Sequence, residues 1–149
     1  MTKLSNRVLA ILLCNLGGTI YFLLEVAYKT AIEHTNQISW TMLVLAFVLC
    51  FPMERCGYEL PWKTPLWLQA IMCATLVTFV ELLAGIVLNI WLGMNIWDYS
   101  NLKFNLLGQI CPQFFLVWVV LCFICIPLFD WIRYFVLNDE RPVYYMWFT

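Results

Sequence analysis

The chain has 149 residues, of which 64% are hydrophobic and only 11% charged, with a net charge of −1 and a mean hydropathy of +0.83. A soluble domain of this size needs far less apolar surface, and the absence of dense Lys/Arg clusters excludes a surface that tracks a phosphate backbone, so no nucleic-acid partner is expected. His34 is the only histidine, which rules out a His-rich metal site built from one chain, and neither a metal nor a cofactor is expected.

In chain order, four apolar runs approach the roughly 20 residues that cross a bilayer: Val8 to Tyr28, Ile38 to Phe51, Leu66 to Leu92 and Leu106 to Phe129. Lys3 and Arg7 before the first run resemble a secretory leader, with Cys14 inviting a lipoprotein reading. The residue before Cys14 is Leu13 rather than a small one, and the run continues through Gly17 and Gly18 to Ala27. A first membrane helix is therefore expected. The second run is short and ends at Pro52, which predicts a tilted, partly protein-buried helix or a re-entrant segment. After Asp130, an interfacial extension of the fourth helix is expected, followed by a polar turn at Asn138 to Arg141 and a short apolar tail from Val143 to Phe148. The predicted fold is all-α: one transmembrane domain, 1–149, forming a helical bundle of about four spans with an interfacial C-terminal helix or tail.

Four spans place both termini and the middle loop on one side. Lys3, Arg7, Arg55, Lys63, Arg133 and Arg141 then fall on that side, against Lys29 and Lys103 on the other, so positive-inside bias makes the termini cytoplasmic. Tryptophans agree: Trp62, Trp67, Trp131 and Trp147 mark the inner ends, Trp40, Trp91 and Trp97 the outer ends, and only Trp118 is deep. Most of the seven cysteines fall inside apolar runs, where they act as small hydrophobes, and the Cys122-x-x-Cys125 spacing has no polar neighbour to activate a thiol.

Polar residues inside spans mark functional candidates, because a charge at mid-membrane costs about 3 kcal/mol or more. Helical spacing aligns Asn15, Gly18, Phe22, Glu25 and Lys29 on the first span, with Glu25 and Lys29 placed i,i+4 for an ion pair. Ala70, Ala74, Thr78, Glu81, Gly85 and Asn89 align on the third, and Asn105, Gln109 and Gln113 on the fourth, beside Gly108 and Pro112. At about 1.5 Å per residue, Glu25, Glu81 and Gln113 all fall in the outer half of the hydrocarbon core. Pro112 is expected to free a carbonyl that lines a cavity near Gln109 and Gln113. The functional expectation is an outward-facing pocket with Glu25, Glu81 and Asp98 as acids and Gln109 and Gln113 as walls; interhelical glue is the alternative. Glu54, beside Arg55, reads as a water-exposed helix-end ion pair, and Trp97-Asp98-Tyr99-Ser100 as an aromatic belt joined to a turn.

The segment Asn95-Ile96-Trp97-Asp98-Tyr99-Ser100, followed by Phe104-Asn105-Leu106-Leu107-Gly108-Gln109-Ile110-Cys111, resembles the signature of small CmpB-type membrane proteins of the ABC-transporter type IV family. Vertebrate multi-pass proteins carry a similar Trp-Asp-Tyr-Ser segment. The match extends to Glu81 with Leu82, Ala84 and Gly85, to Trp118 and, more loosely, to Glu25 and the Glu54-Arg55 pair. The resemblance implies a compact bundle with the acids facing inward. The chain carries no G-x-x-x-x-G-K-[ST] loop, so a permease reading implies a separate ATPase subunit, and four spans imply a second copy or another membrane subunit.

Three functions compete: a transport or ligand-binding subunit in which Glu81 and Glu25 hold a cation, a proton or an amine-bearing solute; an intramembrane enzyme acting on a lipid or isoprenoid; and a non-catalytic assembly factor. The enzyme reading lacks an evident nucleophile–base pair.

Overall fold

The structure, a computed structural model, describes residues 3–31, 38–61 and 63–147, with side chains from residue 6 onward. His34, Trp62, Phe148 and the Lys3 side chain, named above, lie outside the described residues. Among the described residues there are four α-helices: α1 (Lys3–Ala31), α2 (Thr41–Glu59), α3 (Leu66–Gly85), which continues as a π-helix over Ile86–Trp91, and α4 (Pro112–Leu137). Each of the four is long and apolar enough to cross a membrane, and between 22% and 50% of each apolar window is buried within the protein. The exposed remainder is dominated by Leu, Ile, Val and Phe, as a lipid-facing surface requires.

The boundaries differ from the sequence reading in two informative places. The second helix does not stop at Pro52 but carries it internally and runs on to Glu59. Pro52 lacks the N–H that would bond the carbonyl of Val48, a local defect that a helix tolerates when its surroundings hold it. The fourth helix begins at Pro112, six residues later than expected, and runs to Leu137, with Asn138 closing it in a left-handed conformation. Pro112 therefore opens the helix, where its missing N–H has no intrahelical partner to lose, rather than interrupting one.

The chain divides into two compact units, 1–51 and 52–149, and the division falls at Pro52. In the first unit the backbones of α1 and α2 approach closely at Gly18: a methyl group there would come within 2.8 Å of Phe47 N and 2.9 Å of its Cα. Polar side chains on the exposed faces satisfy themselves within their own helix. Asn15 donates to the Ile11 carbonyl, Thr30 to that of Val26 and, in the second unit, Thr75 to that of Ile71.

In the second unit α3 packs on α4. The seam consists of Ala70, Cys73, Ala74 and Val77 from one helix and Trp118, Cys122, Ile126 and Phe129 from the other, nearly all inaccessible. All seven cysteines are free thiols, and among the described residues no group of three His, Cys, Asp or Glu is placed to hold a metal ion. The segment after α4 folds back on the start of α3: Tyr145 O accepts from Leu66 N at 2.9 Å, and Met146 O from Trp67 Nε1 at 3.0 Å. The first of these meets an orphan backbone N–H of a helix whose N-cap residue, Pro65, offers no side-chain cap, and the second holds the Trp67 indole.

The approach at Gly18 predicts that Gly18→Ala lowers stability by about 1–3 kcal/mol, since the clash is with backbone that cannot rotate away. Thermal unfolding in detergent, with the exposed Ile11→Ala as reference, checks this; equal midpoints would refute it.

Candidate functional site

The polar centre of the second unit is built on the end of α3, the start of α4 and the connecting loop 92–111. Glu81 lies on the buried face of α3, 4% exposed, and its Oε2 accepts a hydrogen bond of 2.8 Å from Trp118 Nε1 on α4. Its Oε1 accepts a longer one, 3.4 Å, from the Tyr99 hydroxyl of the loop. The Tyr99 ring is itself stacked on Phe114 with centroids 4.4 Å apart, which fixes the direction from which its hydroxyl reaches the carboxylate.

One and two turns further along the same face are Gly85 and Asn89, both buried. The helix widens to a π-helix just past Gly85, a form frequently found at functional sites. Asn89 uses both ends of its amide: Oδ1 accepts from Ile96 N at 2.7 Å, while Nδ2 donates to Trp97 O at 3.0 Å and to Gln109 Oε1 at 2.8 Å. Gln109 in turn donates from Nε2 to Leu107 O, and its own carbonyl accepts from Trp97 Nε1. Gly85 has no side chain because Gln109 occupies that space, its Oε1 lying 2.5 Å from where a Cβ would stand.

The loop is as tightly determined as the helices. Asp98 Oδ1 accepts from both the amide and the hydroxyl of Ser100, and Asn105 Nδ2 donates to the carbonyls of Ser100 and Leu102. Asn105 Oδ1 takes the Gly108 amide, and Gly108 O takes that of Tyr99 at 2.7 Å. Gly108 adopts φ +67 with Ser100 Oγ and Asp98 Oδ1 closing over it, so no other residue fits. Leu106 and Ile110 form an isolated antiparallel bridge that returns the chain toward α4.

The sequence candidates thus separate. Glu81 bonds Tyr99 and Trp118, and two turns along Asn89 bonds Trp97 and Gln109, so these six form two adjoining hydrogen-bonded groups. Asn105 and Gln109 lie in the loop rather than on the fourth helix, so the stripe expected for them with Gln113 does not exist as a helix face. Gln113 is exposed and reaches only the Lys103 carbonyl, at 3.5 Å. Asp98 is exposed and turned into its own loop, where the Ser100 hydroxyl first, and its amide second, hold the carboxyl below its ordinary value. Glu25 and Lys29 belong to the first unit, where they form the expected ion pair at 3.2 Å, with Lys29 buried.

The expected Glu54-Arg55 pair is replaced by two others. Arg55 bonds Glu59 one turn along α2, while Glu54, 1% exposed, pairs with Arg133 of α4. Adjacent residues of a helix point about 100° apart, so Glu54 and Arg55 could not share a face. Asp130, Arg133 and Tyr144 lie beyond Phe129, where hydropathy ends the fourth span, so the sequence does not mark them as site candidates. The signal available was the i,i+3 spacing of Asp130 and Arg133 at the end of an apolar helix.

Four apolar helices of membrane length, with Glu81, Asn89 and Gln109 buried, define an integral membrane protein. Residues 13–147 match the profile of the family described as "Putative ABC-transporter type IV", and the chain belongs to that family. No curated protein and no solved structure matches it.

Two outcomes follow. Gly85→Ala should displace Gln109 from Asn89 and destabilise the protein by about 1–3 kcal/mol, read as a lowered unfolding midpoint and faster amide exchange at Ile96, with the exposed Leu83→Ala as control. A carboxyl lowered by folding adds stability above its unfolded pKa and loses it as pH falls through the folded value. Ser100→Ala should therefore raise the Asp98 titration midpoint toward 3.8, as followed by NMR, and weaken acid resistance of the loop.

Proposed function

We propose that this protein is the membrane-embedded subunit of a transport system, with Glu81 as the carboxylate that takes up a proton or cation. The observation that carries the reading is the Glu81 side chain itself: a carboxylate 4% exposed within an apolar span, whose two described hydrogen bonds come from neutral donors. Intramembrane carboxylates mark substrate and proton pathways, because their cost is retained only where they act.

The two bonds divide the work. Trp118 lies 3% exposed in the α3–α4 seam and fixes Oε2, whereas Tyr99 reaches Oε1 from the loop at 3.4 Å. Displacement of Tyr99 with its loop opens Glu81 toward the loop side while the seam on the other side stays closed. In this reading the loop side is extracytoplasmic and both termini are cytoplasmic. The transport system includes a second copy or another membrane subunit, together with a separate ATPase, since the chain has no phosphate-binding loop. Glu25, with Lys29, supplies a second acidic position in the first unit.

A non-catalytic assembly role is the second reading, favoured by the closure of the Asn89–Gln109 network, in which each amide is used at both ends. Proton flux in liposomes under an imposed potential, with an internal pH dye, distinguishes the two. The transport reading expects flux above that of protein-free liposomes, lost in Glu81→Gln with the unfolding midpoint retained, and raised in Tyr99→Phe. Flux identical in wild type and Glu81→Gln rejects it. The assembly reading instead expects Glu81→Gln or Asn89→Leu to lose a co-purifying membrane partner.

A further inference from the structure

Toward the other end of α4 lies a second polar cluster that the transport reading leaves unused. Trp118 and Asp130 are separated by about 18 Å of helix, and Cys122, Ile126 and Val77 in the intervening seam are wholly inaccessible. The two clusters are therefore not one continuous site.

Arg133 is 4% exposed; its guanidinium pairs with Glu54 and stands 4.6 Å from the centroid of the Tyr58 ring, so its charge is already matched. One turn earlier, Asp130 is 5% exposed, and its Oδ2 accepts the Tyr144 hydroxyl at 2.7 Å. Burial and the facing carboxylate hold Tyr144 well above the ordinary phenol range, so it remains an O–H donor. The other oxygen of Asp130, Oδ1, receives no hydrogen bond from the described residues. It faces the bare Cα of Gly57, where a methyl group would stand 2.8 Å from it. Beside it opens a cavity of about 280 Å³ lined by Gly57, Tyr58, Asp130, Arg133, Asp139 and Glu140.

Three carboxylates face this cavity against one guanidinium that Glu54 already pairs, and Asp130, 5% exposed, offers Oδ1 to a donor inside it. We propose that the cavity binds a small organic cation bearing N–H donors, a primary ammonium or a guanidinium ion, whose N–H bonds Asp130 Oδ1 while Asp139 and Glu140 supply the field at the mouth. A bare metal ion fits poorly, since no three carboxylate, thiol or imidazole groups converge among the described residues. Gly57 is the residue that keeps the approach to Oδ1 clear. This site does not rest on the role given to Glu81.

Titration calorimetry on the full chain in lipid nanodiscs tests it, with n-butylammonium and methylguanidinium as probes and tetramethylammonium, which has no N–H, as the matched cation. The first two are expected to bind saturably and tetramethylammonium not at all. Asp130→Asn should weaken binding roughly tenfold or more, and Lys103→Ala should leave it unchanged. Should Asp130→Asn not fold, the surface double variant Asp139→Asn with Glu140→Gln should weaken binding by roughly threefold. Absence of saturable binding, equal binding of tetramethylammonium, or full affinity in both the Asp130 and the double variant would overturn the proposal.

Discussion

A hydrocarbon interior offers no donor and no acceptor, so every polar group placed there must find its partner inside the protein. The second unit is organised around that constraint. Glu81 is met by Trp118 across the helix seam and by Tyr99 from the loop, and Asn89 and Gln109 consume each other's amides together with backbone groups that a loop would otherwise leave open. Small residues follow from the same constraint. Gly85 and Gly108 are bare because polar side chains must come within bonding range of neighbouring backbone, and a single Cβ would stand in their way. Where polar residues do face outward, as with Asn15, Thr30 and Thr75, they turn back on their own helix.

Much of this was legible in the sequence, for reasons that can be named. Apolar runs of membrane length are a strong signal, and they located four helices. The i,i+4 spacing of Glu81, Gly85 and Asn89 correctly placed all three on one buried face, and Glu25 with Lys29 behaved as spacing required. What misled was the run after the loop. Leu106, Leu107 and Ile110 are apolar, so they read as helix, yet the positive φ of Leu107 and Gly108 and the bonds made by Asn105 hold them in a compact turn. Hydropathy carries no information about a backbone fixed by Asx-type bonds. The Glu54–Arg133 pair was equally hidden, because its partners lie on helices far apart in sequence and nothing local signals that they meet.

The Trp-Asp-Tyr-Ser and Asn-Leu-Leu-Gly-Gln segments that carry the family resemblance acquire individual reasons. Trp97 bonds the Gln109 carbonyl, Asp98 and Ser100 hold each other, Tyr99 reaches Glu81, and Asn105 and Gly108 make the return. The motif is thus the prescription for one loop, and that loop supplies one of the hydrogen bonds to Glu81. At the far end of α4 the chemistry differs in kind: ion pairing between α2 and α4, a phenol on a carboxylate, and an acidic cavity. The seam between them is dry, which keeps the two ends chemically independent while one helix pair joins them mechanically.

The carbonyls of Tyr145 and Met146 that receive Leu66 and Trp67 set an order of events during synthesis. Trp67 and Met146 are 79 positions apart, so the first turn of α3 enters the bilayer long before its partners have left the ribosome. Until then the Leu66 amide and the Trp67 indole depend on water or lipid headgroups. The second unit closes only when that returning segment arrives, and a fusion appended just beyond it would pull directly on the helix that bears Glu81.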